Sequence, residues 1–171
     1  VTSYLLSWLR KRFATTDMAA FEKLHPHDWL VWEPGAWHPP ERAGHTLVAG
    51  AQGPWPPAAG AAATGAAGEA LAIALARQGR RPYVTLGRGP ENDLVIDDAT
   101  LSRVHLVLMR AADGTWTVRD AGSSNGSRLA GQRLEPGKPL PLPPGTRLEA
   151  GEVRLTFHDP ADLLRRLQAP G

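Results

Sequence analysis

Residues 83–126 read YVTLGRGPENDLVIDDATLSRVHLVLMRAADGTWTVRDAGSSNG. Val84 and Leu86 alternate with Tyr83 and Thr85, and Trp116 and Val118 alternate with threonine and arginine, the period-two signature of half-buried strands. Between them Val104 to Met109 is apolar on both faces except at His105, as a central strand requires. Asp113-Gly114 and Asn125-Gly126 supply turn signals. The same pattern extends to both sides: Leu71, Ile73 and Leu75 alternate with alanine, and Val153, Leu155 and Phe157 form a last strand. Gly79, Gly131, Pro136-Gly137 and Pro144-Gly145 punctuate the intervals. Short strands at such regular spacing predict an all-β fold, an antiparallel β-sandwich. After it, Asp159 as N-cap, Pro160 in the first turn and the apolar Leu163, Leu164 and Leu167 beside Arg165 and Arg166 predict a short terminal helix.

The N-terminal half reads differently. Leu5, Leu9 and Phe13 fall at helical spacing around Arg10, Lys11 and Arg12, predicting a short basic amphipathic helix. It can pack on the body, precede a true start at Met18, or meet a membrane surface or partner. From Asp17 to Val48 the chain is aromatic, with Trp29, Leu30, Val31, Trp32 and Trp37 set among prolines. Such apolar area is costly in water, so a lid or docked extension is expected, with a separate recognition surface as the alternative. His25, His27, His38 and His45, near Glu22 and Asp28, match no metal-ligand spacing, so no metal is expected. Residues 49–68, rich in Ala, Gly and Pro, read as a linker. Gly60 and Gly65 begin a phosphate-loop spacing, but Ala66 and Ala67 occupy the places of Lys and Ser/Thr. The expected division is thus an N-terminal Trp-rich extension at 1–48, a linker at 49–68, the sandwich at 69–159 and a helical tail at 160–171.

The chain has 171 residues and no cysteine, which predicts one principal core and removes disulfides, thiolate zinc sites and cysteine nucleophiles. A cytoplasmic bacterial protein is expected. Basic and acidic residues number 5 and 5 in residues 1–68, 12 and 11 in 69–160, and 2 and 1 in 161–171. So even a mixture argues against a general nucleic-acid binder. No apolar run is long enough to span a membrane, and no secretory signal is recognisable.

Four polar clusters lie in connections between the strands: Gly87-Arg88, Asn92-Asp93, Ser102-Arg103-Val104-His105 and Ser123-Ser124-Asn125-Gly126. Loops at one end of a sandwich can converge on a ligand. In order and spacing these clusters resemble the forkhead-associated (FHA) family pattern, over about 90 of the 171 residues. The resemblance implies that Arg88 and Ser102 contact a phosphate and that Arg103 adds phosphate or ligand-backbone contacts. It further implies that Ser124 and Asn125 hold a phosphopeptide, Asn125 chiefly through its main chain. Gly87, His105 and Gly126 are implied as structural support, with His105 orienting the loop between Arg88 and Ser102. One position departs from the pattern: Ala130 stands where the family often has a second Asn that pins the following turn.

The chemistry of the residues is consistent with that ligand. A phosphothreonine brings nearly two negative charges and three acceptor oxygens, so its site needs a fixed cation and several neutral donors. Other chemistries fit less well. Ser102, His105 and Asp97 or Asp98 lack the nucleophile elbow of a hydrolase. Gly87-Arg88-Gly89 has no third glycine or following helix for a dinucleotide. The expectation is a non-enzymatic module without a cofactor, binding a phosphothreonine-containing protein in a Ser/Thr kinase pathway. A phosphate-independent structural or oligomerising sandwich is the alternative. Since every phosphate-set residue lies within 69–159, that stretch is expected to bind without the N-terminal half.

Overall fold

The computed structural model describes residues 2–35, 37–38, 68–75 and 81–170. The expected linker, apart from Gly68, lies outside these, as do His45, Gly79 and the rejected phosphate loop. The elements are β1 (Ser3–Leu5), α1 (Leu6–Phe13), α2 (Met18–Leu24), β2 (Trp29–Trp32), β3 (Leu71–Ala74), β4 (Tyr83–Gly87), β5 (Leu94–Val95) and β6 (Leu106–Arg110). There follow β7 (Trp116–Asp120), β8 (Ser127–Leu129), β9 (Gln132–Arg133), β10 (Leu140–Pro141), β11 (Arg147–Ala150), β12 (Val153–His158) and α3 (Pro160–Gln168). Seven strands form one sheet in the order β1-β3-β2-β12-β11-β8-β9, and five form the other, β10-β7-β6-β4-β5. All pairings are antiparallel except β4 with β5.

Two apolar interiors make three layers. Leu30, Trp32, Leu71 and Ile73 from the larger sheet meet Leu86, Leu106, Leu108 and Val118 from the smaller one. On the other face of the larger sheet, Trp29, Val31, Ala72 and Ala74 pack against Leu9, Phe13, Phe21, Leu163, Leu164 and Leu167 of the three helices. Asp159 caps α3 by accepting the Asp162 N–H at 2.7 Å, with Pro160 in the first turn as its sequence predicts. Arg166 of α3 then forms a bidentate pair with Glu33, at 2.5 and 2.8 Å, fastening the helix to the end of β2.

The larger sheet runs across the expected boundary between extension and sandwich. Trp29 to Trp32 are not a lid: β2 pairs with β3 on one side and with β12 on the other. All four residues are buried, because the strand has a core on each face. The N-terminal helix also begins later than its periodicity suggests, since Ser3 to Leu5 pair in extended form with β3. Leu6, Leu9 and Phe13 are buried against the body, the first of the three arrangements open to this segment.

The β8–β9 hairpin closes through two residues, Ala130 and Gly131, at φ +49° and +84°. Positive φ at both positions suits the right-handed strand twist, but it places an alanine Cβ where glycine or asparagine is at home. The turn thus forms without the second Asn, at a local conformational cost.

Removing residues 1–67 deletes β1 and β2, leaving β3 without a partner and β12 paired on one side only, with β11, so a chain starting at Gly68 is expected to lose its cooperative thermal transition. A sharp melt near that of the full chain would contradict the role of β2. Trp29→Ala should cost about 3 to 5 kcal/mol by denaturant titration, as for large buried aromatics. Ala130→Gly, conversely, should raise stability by up to about 1 kcal/mol by relieving the left-handed alanine; a lower melting temperature would refute that account.

Candidate functional site

The β4–β5, β5–β6 and β7–β8 connections meet at one end of the sandwich, and backbone contacts set their spacing. The Arg88 N–H donates to Ser102 O and the Gly89 N–H to Arg103 O, both at 3.0 Å. At Gly87 the two chain segments approach so closely that a Cβ would lie 2.8 Å from Ser102 O and closer still to Arg103 O. Only glycine fits there. Asn92, buried, donates its side-chain amide to Gly89 O at 2.7 Å and to Arg103 O, tying the first two loops together.

His105 is buried and joins the second loop to the third. Its Nδ1 accepts the Ser102 N–H at 3.0 Å, so the proton resides on Nε2, which donates to Gly126 O at 3.2 Å. Burial lowers its pKa, against opposing effects of the Gly126 carbonyl and the Asp120 charge, which favours this neutral tautomer. Ser102 Oγ accepts the Ser124 N–H at 3.0 Å, leaving its own proton to donate elsewhere.

Beneath the Ser123–Gly126 turn is Asp120, a residue whose part in the site sequence reasoning missed. Its Oδ1 accepts the N–H groups of Gly122 and Ser123 at 2.8 and 2.7 Å, and its Oδ2 accepts the hydroxyls of Ser123 and Ser127 at 2.7 and 2.5 Å. Burial alone would raise its pKa, but these hydrogen bonds from Ser127, Ser123 and the backbone bring it below the ordinary carboxylate value. The Asp-x-Gly-Ser-Ser run from Asp120 is the available sequence signal, since aspartate commonly caps a turn two or three residues ahead.

A second aspartate, Asp98, does the same for the β5–β6 loop. It is fully buried, and its Oδ1 accepts from the Thr100 N–H and hydroxyl at 2.8 and 2.6 Å. Thr100 O in turn accepts the Asn125 side-chain amide at 2.7 Å. The N-terminal half reaches this loop too: Trp37 Nε1 donates to Asp97 O at 3.1 Å, the His38 N–H to Asp98 Oδ2 at 2.9 Å, and His38 O accepts the Ala99 N–H at 2.8 Å. Through its backbone His38 therefore braces the β5–β6 loop, and among the described residues no group of three or more His, Asp or Glu side chains could hold a metal ion.

Of the five candidate ligand residues, Arg88, Arg103, Ser124 and Asn125 are exposed and Ser102 is half-buried. The two cations differ. Arg88 has its charge near Asp97, whose pKa is raised by burial and held back by Arg88. Arg103 forms an exposed ion pair with Glu91 at 2.9 Å. The end of the sandwich thus offers a guanidinium, a serine hydroxyl and turn N–H groups held by a buried polar scaffold. That set can take an anion with several acceptor oxygens.

Comparison with known proteins bears on the stretch that contains these loops. Residues 84–151 match the FHA domain model. The oxoglutarate dehydrogenase inhibitor of Corynebacterium diphtheriae is 40% identical over 77 residues, covering 45% of this chain and 51% of that protein. The glycogen accumulation regulator GarA of Mycolicibacterium smegmatis is 35% identical over 77 residues, 45% of this chain and 46% of its own. The chain thus spans about half the length of the curated relatives it matches. Among solved structures, Mycobacterium tuberculosis EmbR in complex with a low-affinity phosphopeptide aligns over 51% of this chain and 21% of that one, at 25% identity and TM-score 0.44. The two-sheet sandwich, the four loop clusters in family order and the matching family model together show that this chain carries an FHA domain.

Proposed function

We propose that this protein is a phosphothreonine-dependent interaction module, acting as a non-enzymatic adaptor or regulatory partner in a Ser/Thr kinase pathway. The observation that carries this reading is the division of labour at the loop end. His105, Asn92, Asp98 and Asp120 direct their polar groups to the protein's own backbone and hydroxyls, while Arg88, Ser102, Ser124 and Asn125 keep groups available at the surface. A scaffold bonded in this way, in which of these four residues only Asn92 has a buried side-chain oxygen without a partner, can present donors at fixed positions without reorganising when an anion arrives.

In this reading Arg88 and the Ser102 hydroxyl take the phosphate, Arg103 exchanges Glu91 for the ligand, and Ser124 and Asn125 hold the peptide backbone. The Asn125 side chain already donates to Thr100 O, so its main chain is what remains for the peptide. Two matching relatives are an inhibitor of a dehydrogenase and a regulator of glycogen accumulation, which supports a regulatory role through a protein partner. A cytoplasmic site of action is part of the proposal, and a chain without cysteine suits that reducing compartment. Among the described residues no helix is long and apolar enough to cross a membrane.

Titration with matched phosphothreonine, phosphoserine and unmodified peptides tests the reading. Phosphothreonine should bind about 10- to 200-fold better than phosphoserine, since a methyl in a small apolar niche is worth roughly 1 to 3 kcal/mol. Equal affinity for all three would sink it. Arg88→Ala should leave stability within roughly 0.5 kcal/mol, as for a surface substitution, yet weaken binding by about 30-fold or more, the loss of a charge-assisted contact. Normal binding by a folded Arg88→Ala would move the phosphate site elsewhere. His105→Ala should reverse the balance, costing about 1 to 3 kcal/mol of stability because the Ser102 N–H loses its acceptor and Gly126 O its donor. Thermal melts beside the titrations separate the two behaviours.

A further inference from the structure

Directly behind the Ser124–Gly126 turn, the β8–β9 hairpin places two arginines side by side. Arg128 and Arg133 are cross-strand partners, on the same face and directly opposite. Like charges in that register repel, and a hairpin gains nothing from the choice. Both are exposed, and neither has a carboxylate within ion-pair distance among the described residues. The nearest acid in the ladder, Glu149, lies opposite Arg128 on one side and opposite Arg154 on the other, so a single carboxylate stands among three guanidinium groups.

The arginines also frame a pocket. Asn125, Gly126, Arg128, Arg133 and Glu149 line a small polar recess of about 70 Å3. Arg133 lies against the turn itself: a Cβ on Gly126 would sit 3.3 Å from its Nη2. The recess therefore begins at Asn125, one of the residues assigned to the peptide backbone, and continues away from Ser102 and Arg88. A local rule broken with only one shared carboxylate, Glu149, to offset it points to a ligand that supplies the rest of the compensation.

We infer that Arg128 and Arg133 form a second anion subsite, which selects phosphothreonine peptides carrying another anionic side chain, a carboxylate or a second phosphate, a few residues from the phosphothreonine. The inference rests on the phosphopeptide reading above and specifies which peptides that site prefers. Two guanidiniums flanking one recess suit a two-oxygen or three-oxygen anion, and an extended peptide advances about 3.3 Å per residue, so a nearby side chain can reach it.

The test uses the full chain and a phosphothreonine peptide with Ala, Asp or phosphoserine placed singly at each of four positions on either side. At one position or two adjacent ones, Asp or phosphoserine should improve affinity about three- to tenfold over Ala, the range of a partly exposed charge pair. The better of the two identifies the anion. Arg128→Gln and Arg133→Gln should abolish that preference, leave affinity for the all-Ala peptide unchanged, and leave the melting temperature of the free protein equal or higher, because the cross-strand repulsion is gone. A purely structural role would lower the melting temperature instead. If the all-Ala peptide binds but no position prefers an anion, the subsite is refuted and the phosphothreonine reading stands. The subsite is equally refuted if the preference survives both substitutions, or if they weaken every peptide alike. If no phosphothreonine peptide binds, both fall together.

Discussion

The pairing of β2 between β3 and β12 joins the two halves of the molecule. Four consecutive residues, Trp29 to Trp32, are buried because alternate side chains enter different interiors: Leu30 and Trp32 the space between the sheets, Trp29 and Val31 the space beneath the helices. Each fully buried large side chain contributes about 1.5 to 3 kcal/mol, a large fraction of the roughly 5 to 15 kcal/mol by which a domain is stable. Without this strand β12 would have an exposed edge and the helical layer would lose its contacts with Trp29 and Val31. The loops of the candidate site hang chiefly from the smaller sheet, which meets Leu30 and Trp32 of this strand across the shared apolar interior.

At the loop end the stabilising logic changes from apolar burial to polar satisfaction. Asp98, His105 and Asp120 are buried and fully engaged with backbone or hydroxyl groups of the three connections. A buried polar group left unpaired is costly, so such residues resist any movement that would break their bonds. Irregular loops thereby acquire the definition of regular structure. Trp37 and His38 extend this bracing from the N-terminal half to Asp97–Ala99, so the segment preceding the sandwich in sequence touches the candidate site in space.

The cations at this end are held in three ways. Arg88 lies near a half-buried Asp97, Arg103 is paired with an exposed Glu91, and Arg128 stands in the ladder between Arg133 and the shared Glu149. An exposed ion pair is worth little and exchanges readily, whereas a like-charge pair favours whatever anion relieves it. The charge pattern therefore distinguishes this end of the sandwich from its surroundings in a way that net charge, nearly balanced along the chain, does not.

Much of this is legible in the amino-acid sequence alone. Alternation at Tyr83–Leu86, Trp116–Val118 and Val153–Phe157 marks half-buried strands because their two faces differ in polarity, and the Asp159-Pro160 pair marks a helix start because capping is local chemistry. The order of the Gly-Arg, Ser-x-x-His and Asn-Gly clusters marks the loop end. What escapes are features created by distance along the chain. Trp29–Trp32 show no alternation, since both faces are covered, and nothing local says that residues 71–74 and 153–158 are their partners. The two-residue strands β5, β9 and β10 are too short to carry a period. Asp120 and Asp98 look like ordinary loop acids until the fold removes water from them, and the proximity of Arg133 to Gly126 exists only once a hairpin folds back on the turn. Local patterns record how each residue meets its immediate neighbours; partners, burial and the electrostatic field arise from contacts between segments far apart in the chain, and so belong to the folded molecule.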